Sequence, residues 1–289
     1  MYRGVFTAMV TPFDEDGRVD FDTLKKLVEL QIEGGIDGLV PTGTTGESPT
    51  LDPKEHLSVV KCVIDQAAGR VPVIAGTGSN STAEAIHLTK GAKEAGAAAS
   101  LQVAPYYNKP TQEGFFRHFT AVAEATELPM VVYNIPGRTG KNIENDTMMR
   151  LAENPLVVGV KEASGDLGQM MDLLSRRPNG FSVLSGDDNL TFPLMALGGD
   201  GIISVASNLA PGAMRGLAHA ALAGEWDEAR ATHFRLLPLF KALFLETNPI
   251  PVKAAMAIRG MLKENYRLPM CPMGDSNRKI LTEVLQKVL

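Results

Sequence analysis

Residues Pro155–Ser164 read "PLVVGVKEAS". From Leu156 to Val160 no polar side chain interrupts the run, so a strand built from it carries apolar groups on both faces. Such strands belong to parallel sheets covered by helices, and a single lysine, Lys161, closes this one. Seven further β-rich runs flank it, most of them equally free of alternation: Val5–Val10, Gly38–Val40, Val71–Ala75, Ala98–Val103, Met130–Tyr133, Ser182–Ser185 and Gly201–Val205, with Val157–Lys161 the sixth of eight. Stretches of helical period separate them. Phe21–Glu33 places Leu24, Leu27 and Val28 on one face, Pro53–Ala68 does the same with Leu57, Val60 and Ile64, and Thr82–Ala95 follows Ser81. Asp52-Pro53-Lys54-Glu55 supplies an N-cap, a proline at the first helical position and a glutamate at the third, and Ser81-Thr82-Ala83-Glu84 reads as a capping box.

Eight strand–helix units, with no G-x-G-x-x-G after the first run and no break where a second domain would start, predict an α/β fold of the (β/α)8 TIM barrel type. From Pro211 onward the chain reads as helices only, broken near "ETNPIPVK" and "RLPMCPMGDS". The expected organisation is a barrel over residues 1–224 and a C-terminal helical appendage over 225–289.

The 289 residues are 44% apolar and 21% charged, with a net charge of −5, which offers no basic face to nucleic acid or to an anionic membrane. Small-molecule partners are expected. Cys62 and Cys271 are the only cysteines and form no C-x-x-C pair, which speaks against a zinc site or a disulfide scaffold and for a cytoplasmic setting. No run approaches the ~18 apolar residues of a membrane span, and "MYRGVFTAMVTPF" enters a strand pattern at once, without the look of a signal peptide.

Barrel active sites gather at the carboxyl ends of the strands. There the chain delivers Thr44 and Thr45 after the second strand, Tyr106 and Tyr107 after the fourth, Tyr133 and Asn134 at the fifth, Lys161 at the sixth, Gly186 and Asp187 after the seventh and Ser204 at the eighth. Desolvation at the end of an apolar strand lowers a lysine pKa toward the range where the free amine attacks a carbonyl, the condition for Schiff-base chemistry. A lone strand-end lysine is more often a solvated or salt-bridged side chain, so position has to decide. Tyr133 lies one strand away, roughly 5 Å, within reach to shuttle protons. Arg138, on the following loop, can grip a carboxylate in bidentate fashion, or serve as an ordinary surface arginine.

The loop "PTGTTGES", Pro41–Ser48, has the glycines and hydroxyls of an anion cradle but lacks the spacing and the lysine of a phosphate loop, so a polyphosphate is not expected, and the loop is either a cradle for another anion or a tight strand-to-helix turn that binds nothing. All five histidines (His56, His87, His118, His219 and His233) fall in predicted helices, away from strand ends, and no metal is expected. Asp187 and Asp188 read as a helix N-cap before they read as a magnesium site. No serine sits in a G-x-S-x-G elbow.

"GTTGES", "YYNKPTQEG", "YNIPGRTG", "GVKEASGD", "SGDD" and "NPIPVK", in this order along nearly the whole chain, resemble the pyruvate-dependent class I aldolases of the dihydrodipicolinate synthase and N-acetylneuraminate lyase family. The resemblance implies a (β/α)8 barrel whose Lys161 forms an imine with pyruvate, with no cofactor beyond that lysine. It also implies that Thr44 and Thr45 hold the pyruvate carboxylate, which answers what the glycine loop binds. Tyr133, Thr44 and Tyr107 would form a proton relay, Tyr107 reaching in from the partner of a tight dimer within a homotetramer. Gly186 and Ile203 would supply backbone contacts near the imine. Lyases of the family usually carry Ser-Thr in the glycine loop and lack the arginine, whereas Thr44-Thr45 and Arg138 resemble the synthase branch. There the second substrate is L-aspartate 4-semialdehyde and the product feeds diaminopimelate and lysine biosynthesis. An aldolase acting on a sugar-acid aldehyde, or a non-catalytic pyruvate-binding regulator, are the alternatives. The same resemblance assigns L-lysine as a possible inhibitor, at Ser48, His56, Asn80, Glu84 and Tyr106, with Pro53 and Pro49 as departures that weaken the site.

Overall fold

The computed structural model describes all 289 residues. Eight parallel strands run β1 (Gly4–Ala8), β2 (Gly38–Val40), β3 (Ile74–Gly76), β4 (Ala99–Val103), β5 (Met130–Asn134), β6 (Val157–Glu162), β7 (Ser182–Ser185) and β8 (Gly201–Ser204). Between them lie α1 (Phe21–Glu33), α2 (Pro53–Ala67), α3 (Thr82–Ala95), α4 (Gln112–Thr126), α5 (Pro136–Thr139), α6 (Asn145–Ala152), α7 (Leu167–Arg176) and α8 (Thr191–Ala196). After β8 come only helices: α9 (Pro211–Ala223), α10 (Trp226–Ala242), α11 (Ile250–Ile258) and α12 (Asp275–Val288).

The sheet order is β2-β1-β8-β7-β6-β5-β4-β3, and a single parallel bridge, Leu39 to Val73, joins its two ends into the barrel that the unalternating runs predict. Strand ends depart from the expected bounds where a backbone N–H finds another acceptor. β3 begins at Ile74 and not Val71, because Pro72 has no N–H and offers only its carbonyl, which accepts from the Leu39 amide at 3.0 Å. β8 stops at Ser204 because the Val205 amide donates to the Asp188 carboxylate. β1 stops at Ala8, and the Val10 amide goes to the side chain of Asn208.

Inside the barrel one apolar layer includes Phe6, Val40, Ile74, Leu101, Leu184 and Ile203, with Tyr133 among them. Outside, the C-terminal helices do not stand apart: Leu236, Val252 and Leu281 share one cluster with Val5, Leu24 and Leu27 of the first barrel unit. The Asp52 box on α2 forms as expected, its carboxylate accepting from Glu55 N while the Glu55 carboxylate accepts from Asp52 N. The Ser81 box forms only by half. Ser81 Oγ accepts from Glu84 N at 3.4 Å, but the Glu84 carboxylate and the Ser81 amide both turn to the Ser79 hydroxyl. No helix is long and apolar enough to cross a membrane.

Candidate active site

Strands β5 and β6 pair so that Tyr133 faces Lys161 and Asn134 faces Glu162. Alternation then sends the first pair into the barrel and the second toward the helices. The Lys161 amine sits 4.2 Å from the centre of the Tyr133 ring, and both residues are buried. Burial pushes the Lys161 amine down to about 8, with Asp187 and Asp188 partly opposing and Arg138 reinforcing the shift. Burial also pushes the Tyr133 phenol above its ordinary range, so it stays neutral beside the amine. Gly186 follows β7 directly against the lysine: a Cβ there would lie 3.1 Å from Lys161 Cε and 2.6 Å from Ala163 Cβ. Only glycine leaves that room. Ile203 is fully buried on β8 in the same inner layer.

The loop after β2 turns through two left-handed non-glycine residues, Thr42 (φ 54) and Glu47 (φ 53). Such backbone persists only where surrounding contacts hold it. Here the Thr42 hydroxyl donates to the Gly76 carbonyl at 2.9 Å and the Thr11 hydroxyl to the Gly46 carbonyl at 2.7 Å. Thr45 is buried, its hydroxyl accepting from Asn248 Nδ2 at 3.0 Å, whereas Thr44 stands half-buried at the mouth. Arg138 on α5 donates to the Asn248 carbonyl at 3.1 Å, so one residue before α11 touches both the threonine loop and the arginine.

Thr44 and Arg138 line a cavity of about 330 Å³ together with Ser48, His56, Glu84 and Tyr106. A smaller one of about 40 Å³ reaches Thr44 and Tyr133. Lys161 lines neither. Asn80 donates to the Tyr106 carbonyl at 3.2 Å beside the larger cavity. Tyr107 is not brought in: it stands 89% exposed with a left-handed backbone (φ 70), away from Tyr133 and Lys161 of its own chain.

Two readings need correction. Asp188 caps no helix of its own; its carboxylate accepts from Ser204 Oγ at 2.5 Å and from the amides of Val205 and Ala206, so it closes the turn after β8. Asp187 sits before the following 3-10 turn without a side-chain capping bond. Sequence reasoning also missed the Glu47–Lys253 ion pair, 2.6 Å long and almost fully buried, with the Lys253 ammonium over the Phe13 and Tyr266 rings. The partners lie 206 residues apart, so no local pattern announces them.

A barrel that buries a lysine amine against a tyrosine at the carboxyl end of a strand has the constitution of a lysine-dependent aldolase. This chain belongs to the dihydrodipicolinate synthetase family, which it matches over residues 1–288. It is 54% identical over 286 residues to the 4-hydroxy-tetrahydrodipicolinate synthase of Syntrophus aciditrophicus, covering 99% of this chain and 98% of that one. Its fold is similar to the chloride-inhibited dihydrodipicolinate synthase of Acinetobacter baumannii complexed with pyruvate, with a TM-score of 0.98 and 47% identity over 100% of this chain and 99% of that one. The Cyanidioschyzon merolae enzyme with lysine bound gives a TM-score of 0.97 and 42% identity over 99% and 98% of the two chains.

Proposed function

We propose that the protein acts as a 4-hydroxy-tetrahydrodipicolinate synthase, condensing pyruvate with L-aspartate 4-semialdehyde in diaminopimelate and lysine biosynthesis. The observation that carries this reading is the Tyr133–Lys161 pair, buried across β5 and β6 with Thr44 lining the small cavity that reaches the tyrosine. The free Lys161 amine adds to the pyruvate ketone and water leaves, giving an iminium. Its methyl group loses a proton to become an enamine, with Tyr133 and Thr44 passing protons and the Thr44-Thr45 loop holding the carboxylate. The enamine carbon then attacks the aldehyde carbon, whose oxygen takes up a proton. Attack of the substrate amine on the iminium carbon closes the ring and releases Lys161. The exposure of Tyr107 fits a role completed by a second subunit, in the tight dimer of a homotetramer working in the cytoplasm.

The choice of aldehyde rests on Arg138, and coupled turnover of pyruvate with aspartate semialdehyde tests it directly. Arg138→Ala removes a charge-assisted, bidentate grip and is expected to weaken aldehyde use by roughly 1.5–3 kcal/mol while imine formation is spared. Unchanged kcat/KM for aspartate semialdehyde would assign the enzyme to a different aldehyde.

L-lysine is proposed to inhibit from the larger cavity, where Glu84 can pair with an ammonium and Ser48 and Tyr106 add polar contacts. Tyr106 adjoins Tyr107, so a shift there reaches the proposed relay through one peptide unit. The expected result is partial inhibition at millimolar lysine, relieved by Glu84→Ala with catalysis intact. A rate that stays flat as lysine is raised, with no heat of binding in calorimetry, rules the site out.

A further inference from the structure

Behind the reacting pair, on the outer face of the same two strands, lies a second pair with no part in the chemistry above. Glu162 is 1% exposed, yet its carboxylate is fully engaged: Ser164 N donates at 2.6 Å, Asn134 Nδ2 at 3.1 Å and Gln169 Nε2 at 3.4 Å. A carboxylate only accepts, so it dictates which way each neighbouring amide points. Asn134 must turn its NH2 toward Glu162 and toward Asn142 Oδ1 (2.9 Å), which leaves its carbonyl oxygen to accept from the Ile143 amide at 3.0 Å. Gln169 is set likewise, donating to Glu162 and Asn142 Oδ1 and accepting from Asn142 Nδ2 at 2.8 Å. Residues 134 and 143 are the two ends of one loop, and that loop carries Arg138.

We propose that Glu162, acting through Asn134 and Asn142, is the positioning residue that closes the base of the Arg138 loop and so sets recognition of the second substrate's carboxylate. The strand pleat divides the labour: Tyr133 and Lys161 face inward to the first substrate, Asn134 and Glu162 outward to the loop that grips the second. The inference rests on the reading of Arg138 given above. It is a constraint of hydrogen-bond polarity and not of shape. Glu162→Gln keeps the volume but points a donor at the Asn134 donor, and if Asn134 flips to meet it, the Ile143 amide loses its acceptor.

The test compares Glu162→Gln with the swapped pair Glu162→Gln/Asn134→Asp, in which the acceptor-only group is moved one strand across. Steady-state constants for both substrates, borohydride trapping of pyruvate and hydrogen exchange at the Ile143 amide are measured. Glu162→Gln is expected to raise KM for the aldehyde about tenfold, the weight of one hydrogen bond to a charged group, with trapping at Lys161 unchanged and Ile143 exchanging faster. The swapped pair is expected to restore both. Asn142→Ala, half-buried and outside the strands, carries the same test whether or not Glu162→Gln folds. Trapping and aldehyde use falling together, or a swapped pair no better than Glu162→Gln, overturns the proposal. Failure of the underlying reading looks different: Arg138→Ala then leaves the aldehyde KM normal while the Ile143 amide still responds to Glu162→Gln.

Discussion

Borohydride added together with pyruvate is expected to inactivate the protein irreversibly and to leave one reduced pyruvyl group per chain, on Lys161. In Lys161→Ala the label disappears and turnover drops by on the order of 10⁴-fold, as for other enzymes stripped of their nucleophile. The pH dependence has a definite sign. Burial penalises the ammonium and holds Lys161 at about 8 in place of 10.5. Roughly one amine in ten is then free at pH 7, against about one in 3,000 for an ordinary lysine. Trapping should therefore quicken as pH rises through about 8 and level off above it, where the amine is already neutral. Lys161→Arg, cationic at every accessible pH, should never be trapped. An adduct mapped to another lysine, or a rate flat across that range, would remove the mechanism.

The second large effect is on stability. Lys253→Met leaves the Glu47 carboxylate buried without its cation, and removing one partner of such a pair costs about 3–5 kcal/mol. Burial already pushes the Lys253 ammonium down, with Glu47 opposing, so the pair is held by mutual attraction against desolvation. Denaturant melts of Lys253→Met, Glu47→Leu and the double variant form a cycle. The double variant is expected to recover most of the loss, because the costly state is the orphaned charge and not the missing bridge. A double variant as unstable as the sum of the singles would mean that packing around Phe13 and Tyr266 dominates. Since Glu47 closes the threonine loop, Lys253→Met should also loosen pyruvate binding, read as a higher KM.

The barrel was legible because parallel strands buried on both faces leave a compositional mark that needs no partner to be seen, as Leu156–Val160 illustrates. Lys161, Tyr133, Thr44 and Gly186 could be named for the same reason, since the carboxyl ends of strands are fixed points of the architecture. What stayed hidden depends on contacts between distant segments. Glu47 and Lys253 are each unremarkable locally, and Asn248 gains meaning only when α11 is folded against the threonine loop. Asp188 misled because its own turn looked like a helix start, while its carboxylate serves a turn 17 residues further on. The Ser81 box formed only by half because of one hydroxyl, Ser79, that local pattern cannot weigh against the expected partner.

The barrel's seam, closed by one bridge between β2 and β3, is fastened above by the Gly76 carbonyl, which accepts from the Thr42 hydroxyl and from His56 Nε2 at 2.7 Å. His56 thus serves two masters, lining the cavity proposed for lysine while pinning the wall of the barrel shut. A change in lysine sensitivity made at this position then carries a structural cost, because it also removes a hydrogen bond at the barrel seam. On the lysine reading proposed above, differences in regulation are to be sought at Ser48, Asn80 and Glu84, and a relative that escapes inhibition is expected to have lost those residues while keeping its histidine.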